Sequence, residues 1–241
     1  MTAVPVTSPA PAAIAIRDLR FRWRADLPPV LVIDALDIQP GERIFIEGPS
    51  GSGKTTLLGL LSGVLPVSDG ALTVLDQPLN RLSAVERDHF RADHVGYVFQ
   101  MFNLIPYLSM LDNVTLPCRF SRRRRARALA RGGSLNAEAV RLLAHLDLDD
   151  PGLRARPVTE LSVGQQQRVA AARALIGAPE ILIADEPTSA LDADRRAGFV
   201  ELLFRECREA GLTLVFVSHD ASLEGLFDRT LRLAELNRAA A

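Results

Sequence analysis

The sequence predicts an α/β fold, a parallel sheet with helices on both faces. Two observations predict it. Short apolar stretches read as strands, and "EILIAD" and "LTLVFVS" are each followed by a helix-like segment. Alternation of this kind implies parallel pairing, because a parallel crossover needs a connection about as long as a helix. The second observation is a glycine-rich loop, "GPSGSGKT", set between the strand-like "ERIFIE" and the helix-like "KTTLLGLLSGVL".

The elements follow in order. Residues 1–13, "MTAVPVTSPAPAA", have neither a basic start nor an apolar stretch, so a disordered lead is expected rather than a secretory signal. Ordered structure is expected from Ile14, where "IAIRDLRFRW" and "PVLVIDALDI" read as short strands. "ERIFIE" reads as a buried strand ending at Gly48, and "GALTVLD" and "HVGYVFQ" as further strands. From Phe102 to about Glu160 the chain turns helical, arginine-rich and proline-punctuated, which predicts a helical subdomain inserted over 102–160. One domain is expected over 14–235, with a short tail at 236–241.

Composition limits the function. The chain has 241 residues, 48% of them hydrophobic and 24% charged, as in an ordinary globular protein. A net charge of −1 argues against a general nucleic-acid binder. Cys118 and Cys207 lie far apart without metal-ligand spacing, so reduced thiols are expected. No apolar run approaches the ~20 residues needed to span a bilayer as a helix, so any membrane role is expected to come through a partner.

The chemistry begins at Gly48. Of the 28 basic residues, 27 are arginine, and the one lysine, Lys54, stands inside the glycine-rich loop. Gly48, Pro49, Ser50, Gly51, Ser52, Gly53, Lys54 and Thr55 fit the phosphate-loop pattern, with Thr56 next. Glycines let backbone N–H groups turn inward around an anion, and the following helix points its positive end there. Lys54 is then expected to reach the β- and γ-phosphates as a compact charge, and Thr55 to offer a hydroxyl to Mg²⁺. Arginine's planar fork does not suit so closed a cradle. A chain with one lysine also cannot hold the Asn-Lys-x-Asp segment with which GTPases read guanine.

Two further segments matter. "ILIADE" ends an apolar strand in two carboxylates, placing Asp185 to hold Mg²⁺ and Glu186 to act as general base on water. An apolar strand followed by two acids is unremarkable alone; it gains weight from the phosphate loop on another strand. In "LSVGQQQRVAAARAL", Ser162 and Gln165 form a capping box at the start of a helix. With Gly164 they make a second anion site. One nucleotide needs one cradle, so the second suggests a γ-phosphate bound to another molecule.

"GPSGSGKT", "LSVGQQQR", "ILIADEP", "SALD" and "VSHD", in this order and spacing, resemble the nucleotide-binding subunit of ABC transporters. The resemblance covers Ile14 to about Leu233. It implies a P-loop NTPase with a RecA-like parallel core, an N-terminal antiparallel β subdomain and an inserted helical subdomain. It implies ATP and Mg²⁺ as cofactors, and two copies stacked head to tail around two ATPs. Trp23 would stack on adenine, and Asp192 would lie in the loop that crosses the dimer interface. Gln100 would touch Mg²⁺ and the water, and His219 would orient the γ-phosphate and Glu186. The signature usually reads LSGGQ; here Val163 replaces the first glycine, so its side chain should point away from phosphate.

The wording after Gln100 resembles the group of lipoprotein-release and macrolide-export ATPases. That implies an exporter ATPase on the cytoplasmic side of the inner membrane, peripheral to an integral permease whose cargo is lipid-like, a lipoprotein or otherwise hydrophobic. A non-transport ABC ATPase that works a transmembrane regulator is the alternative. Phe102, Leu104, Ile105 and Tyr107 either receive a helix of the membrane partner or fill the subdomain's own core. The run containing Arg122, Arg123, Arg124 and Arg125 reads as a solvated helix face, with weak contact to anionic lipid as the other reading.

Overall fold

The computed structural model describes residues 11–189, 191 and 193–240. Asp192 lies outside them.

Two sheets make the frame. β1 (Ile14–Phe21), β2 (Leu31–Ile38), β4 (Asp69–Val74) and the short β5 (Gln77–Pro78) form an antiparallel sheet in the order β2-β1-β4-β5. β3 (Arg43–Glu47), β6 (Val95–Val98), β7 (Ile181–Asp185), β8 (Thr213–Val217) and β9 (Arg229–Arg232) form a parallel sheet in the order β6-β7-β8-β3-β9. This is the P-loop NTPase fold expected from the sequence. β9 was not anticipated: with an arginine at each end and on the sheet edge, it carries no apolar run to betray it.

Strand alternation divides the interior in two. In β3, β7 and β8 successive side chains face opposite sides. Phe45, Leu182, Ala184, Leu214 and Phe216 face a core shared with the helical half of the chain. Ile44, Ile46, Ile181, Ile183, Val215 and Val217 face a second core, closed by α1 (Lys54–Leu61) and the antiparallel sheet. α2 (Ala84–His94) leads into β6, and its capping box joins Ser83 to Glu86.

The segment read as a helical insert contains α3 (Met110–Thr115), α4 (Pro117–Phe120), α5 (Arg122–Gly132) and α6 (Leu135–His145). They pack through Met110, Val114, Ala128, Leu142 and Leu143 into the core that also holds α7 (Val163–Leu175) and α8 (Ala193–Ala210). The two readings of the Met101–Pro117 stretch divide residue by residue. Phe102 is buried and Leu104 packs on the core, whereas Tyr107 is 81% exposed.

The amino-terminal boundary departs from the expectation at one residue. Ala13, read as part of a disordered lead, is buried, and its carbonyl accepts from Leu75 N. α9 (Leu233–Leu236) and the residues after it are tied to the body through Leu233 and Asn237.

The arginine run also needs correction. Arg124 is only 3% exposed, because the 3.6-residue period of α5 turns it and Ala128 inward. Its guanidinium donates to the carbonyls of Ala174 (2.6 Å), Ile176 (2.8 Å) and Arg173 (3.3 Å), groups at the C-terminal end of α7 that lack helical partners. Burial pulls its pKa down to about 10. Arg124 therefore cannot meet a lipid. Arg123 pairs with Glu180, which also accepts from Arg127 and His94. Only Arg122 and Arg125 of the four are exposed and unpaired among the described residues.

Arg124→Met keeps the bulk and removes the donors. We expect a loss of about 2–4 kcal/mol, because three buried carbonyls lose a partner. That corresponds to a melting temperature lower by roughly 5–15 °C. Arg122→Met should shift stability by less than ~0.5 kcal/mol. Thermal denaturation of the two variants checks both values; equal shifts would contradict the assignment.

Candidate functional site

The carboxyl ends of the parallel strands converge on a cleft of about 740 Å³. Gly48, Pro49, Ser50, Gly51, Gly53, Lys54, Thr55 and Thr56 line one side. Trp23, Gln100, Asp185, Glu186 and His219 line the rest. The sequence expectation for one nucleotide site thus collects residues from five separate stretches of chain at the edge where ligands of open α/β sheets sit.

β3 hands the chain to the loop at Gly48, and α1 takes it up at Lys54. Gly51 and Gly53 have φ of +80° and +101°, which side chains resist. A Cβ on Gly53 would come within 2.8 Å of Leu31 Cδ2, and one on Gly48 within 2.7 Å of Ser52 Oγ. A larger residue at Gly48 or Gly53 would have to displace a neighbouring side chain. Gly53 caps α1 without a side-chain bond, so the first N–H groups of the helix stay available to an anion. Lys54 Nζ donates to the carbonyls of Gly48 (2.6 Å) and Pro49 (2.9 Å), leaving a third N–H for a phosphate oxygen.

The two carboxylates stand at the end of β7. Burial, then the charge of Glu186, raises the pKa of Asp185, while Lys54 and the Tyr97 hydroxyl oppose the shift. Burial, then the Asp185 carboxylate, pushes the Tyr97 phenol up. A divalent cation beside Asp185 would reverse this balance. The Thr55 hydroxyl, Gln100 amide and Asp185 carboxylate are hard oxygen donors of the kind Mg²⁺ takes, so the residues present fit that ion.

Glu186 departs from ordinary backbone. Its φ is +44°, in the left-handed region that costs a non-glycine residue about 1–3 kcal/mol. Its N–H donates to Val217 O at 2.9 Å, which fixes the peptide against β8. The side chain is directed at His219, with Nδ1 3.2 Å from Glu186 Oε2. A carboxylate so placed can accept a proton from water, and the imidazole can hold its orientation. Phe102 and Asn103, just past Gln100, also have positive φ (+59° and +48°). Their carbonyls accept from Arg173 of α7 at 2.5 and 2.6 Å.

Ser162, Gly164 and Gln165 lie outside the cleft lining. The capping box forms as the sequence predicts: Gln165 N donates to Ser162 Oγ (3.3 Å), and Ser162 N to Gln165 Oε1 (2.9 Å). Val163 begins α7 with ordinary helical backbone and is half exposed. A Cβ on Gly164 would meet nothing nearer than Arg168 Nη1 at 3.5 Å. Among the described residues nothing requires glycine there.

Three side chains that bear on the site were not foreseen. Tyr97 adjoins Asp185, Gln167 of α7 donates to Pro187 O beside Glu186 at 2.5 Å, and Asn237 bonds the phosphate loop. The local sequence around Gln167 and Asn237 carries no signal for these contacts, since their partners lie 20 and 185 residues away.

Residues 33–189 match the family model described as ABC transporter. The chain belongs to the ABC transporter family. It is 45% identical over 201 residues to the Escherichia coli K12 protein named uncharacterized ABC transporter ATP-binding protein YbbA, covering 82% of this chain and 83% of the relative. It is 40% identical over 200 residues to the lipoprotein-releasing system ATP-binding protein LolD of Syntrophotalea carbinolica, covering 83% and 84%. The ATP-binding cassette MJ0796 of Methanocaldococcus jannaschii, solved as a dimer in a post-hydrolysis state with ADP and Pi, superposes with a TM-score of 0.74 at 32% identity, covering 91% of this chain and 94% of that one. This ABC protein is therefore an ATPase and an ATP-binding subunit of a transporter. Among the described residues no helix is long and apolar enough to cross a membrane.

Proposed function

We propose that this ABC ATPase works as a homodimer on an integral membrane permease, at the cytoplasmic face of the inner membrane, and that it powers export or extraction of a lipid-like, lipoprotein or hydrophobic cargo. The observation that carries the dimer is the tip of α7. Ser162 is exposed and Gly164 half-buried, both lie outside their own cleft, and among the described residues nothing gives the glycine a steric need. A glycine inside a helix costs about 0.5–1 kcal/mol relative to alanine. Close approach of a second copy's nucleotide supplies the reason. The solved MJ0796 cassette is dimeric, which supports the same arrangement.

In this reading the chain cleaves ATP to ADP and phosphate. Trp23 stacks on adenine; the phosphate loop holds the phosphates through backbone N–H groups and Lys54. Thr55, Gln100 and Asp185 would hold Mg²⁺, whose chemistry when bound is to neutralise charge on the β- and γ-phosphate oxygens. Glu186 takes the proton of the attacking water, and His219 keeps the carboxylate aimed. Ser162, Gly164 and Gln165 of the second copy cover the γ-phosphate and exclude bulk water.

The surface offered to the permease is a groove of about 870 Å³ that includes Val64, Leu65, Phe99, Leu116, Pro117 and Phe120. Val64, Phe99 and Phe120 are exposed, and an exposed apolar patch of this kind marks an interaction surface. The similarity to a lipoprotein-releasing system favours an exporter over a regulator of cell division or envelope signalling. The decisive experiment is affinity purification of the tagged chain from detergent-solubilised membranes. An integral membrane protein should co-purify in stoichiometric amount, and Phe120→Glu should release it. Recovery of the chain alone from the soluble fraction would refute the assignment.

A further inference from the structure

We propose that Asn237 is a positioning residue for nucleotide binding: its amide clamps the Trp23 loop to the phosphate loop and so sets the distance between the adenine platform and the phosphate cradle. The inference rests on reading Trp23 and the phosphate loop as the two ends of one nucleotide site.

The two ends come from different elements. Trp23 stands in the loop between β1 and β2, in edge-to-face contact with Phe21 at 5.2 Å between ring centroids. That loop is closed at its neck by Val30 N donating to Phe21 O at 2.8 Å. The cradle belongs to the connection from β3 to α1, in the other sheet. The Leu31 side chain packs against Gly53, where an added Cβ would come within 2.8 Å of Leu31 Cδ2.

Asn237 links the two loops. Its Nδ2 donates to Val30 O at 2.9 Å and to Ser52 O at 3.4 Å, so one nitrogen touches both loops. Its Oδ1 accepts from Val32 N at 2.8 Å and from Ala239 N at 3.0 Å. The amide has two donors and two acceptor lone pairs, and all four are used. β2 is an edge strand, with outward N–H and C=O groups that lack a neighbouring strand. The side-chain amide takes the place of that neighbour for Val32 N and Val30 O, and the spare hydrogen reaches the phosphate loop. Among the described residues no other side chain hydrogen-bonds both loops or their flanks. Asn237 is itself held by its N–H to Leu233 O at 2.8 Å, and Leu233 is fully buried.

A clamp between two subsites has a measurable signature. A ligand that spans both should feel its loss, whereas one that uses only the cradle should not. ATP spans both; inorganic tripolyphosphate uses the cradle alone. Calorimetric titration of the full chain should show ATP binding weakened roughly five- to tenfold in Asn237→Ala and Asn237→Asp, the worth of about one net hydrogen bond. Tripolyphosphate affinity should stay within about twofold on the same scale. Arg238→Ala, which removes the neighbouring pair with Asp34, should leave both ligands unchanged. In turnover, Asn237→Ala should raise KM for ATP and leave kcat in place.

A general loss of stability would weaken both ligands together, and an unchanged ATP-to-tripolyphosphate ratio overturns the clamp. The reading beneath it has a separate check. Trp23 is the chain's only tryptophan, so ATP, but not tripolyphosphate, should alter its fluorescence. ATP binding without such a change sinks the adenine platform and the clamp with it. A change in Trp23 fluorescence with an unaltered ratio sinks the clamp alone.

Discussion

Glu186→Gln should leave ATP binding intact, lower turnover by about 10²–10⁴-fold, and accumulate an ATP-bound dimer. Glutamine keeps the volume and the hydrogen bond to His219 but cannot accept a proton from water. Nothing else in the backbone need change: the Glu186 N–H still reaches Val217 O, and φ of +44° strains either residue alike. The cleft retains its phosphate loop, Lys54 and Asp185, so nucleotide enters as before. Phosphate release measures the first effect and size-exclusion chromatography with ATP the second. Turnover equal to that of the parent chain would remove Glu186 from the role of base.

The second large effect concerns the N-terminal tip of α7. Gly164→Glu should abolish both ATP-induced dimerisation and hydrolysis while ATP affinity in the single chain stays unchanged. Within the chain the new side chain has room, since the nearest atom to its Cβ is Arg168 Nη1 at 3.5 Å. Fold and melting temperature should therefore hold. Against a partner's γ-phosphate the same side chain brings bulk and a like charge at the helix end that otherwise favours anions. Hydrolysis that persists in this variant would mean that the cleft is complete without a second copy.

These expectations depend on features of unequal legibility. β3, β7 and β8 were plain in the sequence because a strand buried on both faces is a continuous apolar run. The phosphate loop was plain because its chemistry is local: glycines, one lysine and a hydroxyl within eight residues. Trp23, Gln100 and His219 were reached by family resemblance, since one aromatic, one amide and one imidazole at strand ends carry no chemistry of their own until the fold gathers them. Arg124 misled. A run of four arginines reads as surface, but helical periodicity turned one of them onto the end of another helix. Asn237 was silent, because an asparagine near a chain end gives no hint of partners some 185 to 207 residues away.

α7 links two parts of the molecule. Near its C-terminal end Arg173 grips the carbonyls of Phe102 and Asn103, two and three residues past Gln100, and Arg124 holds the carbonyls beside it. At its other end stands Ser162. The helix between is thirteen residues long, a stiff rod of about 20 Å. Because a rod of this length moves as one body, a small tilt at its Arg173 end displaces the Ser162 tip.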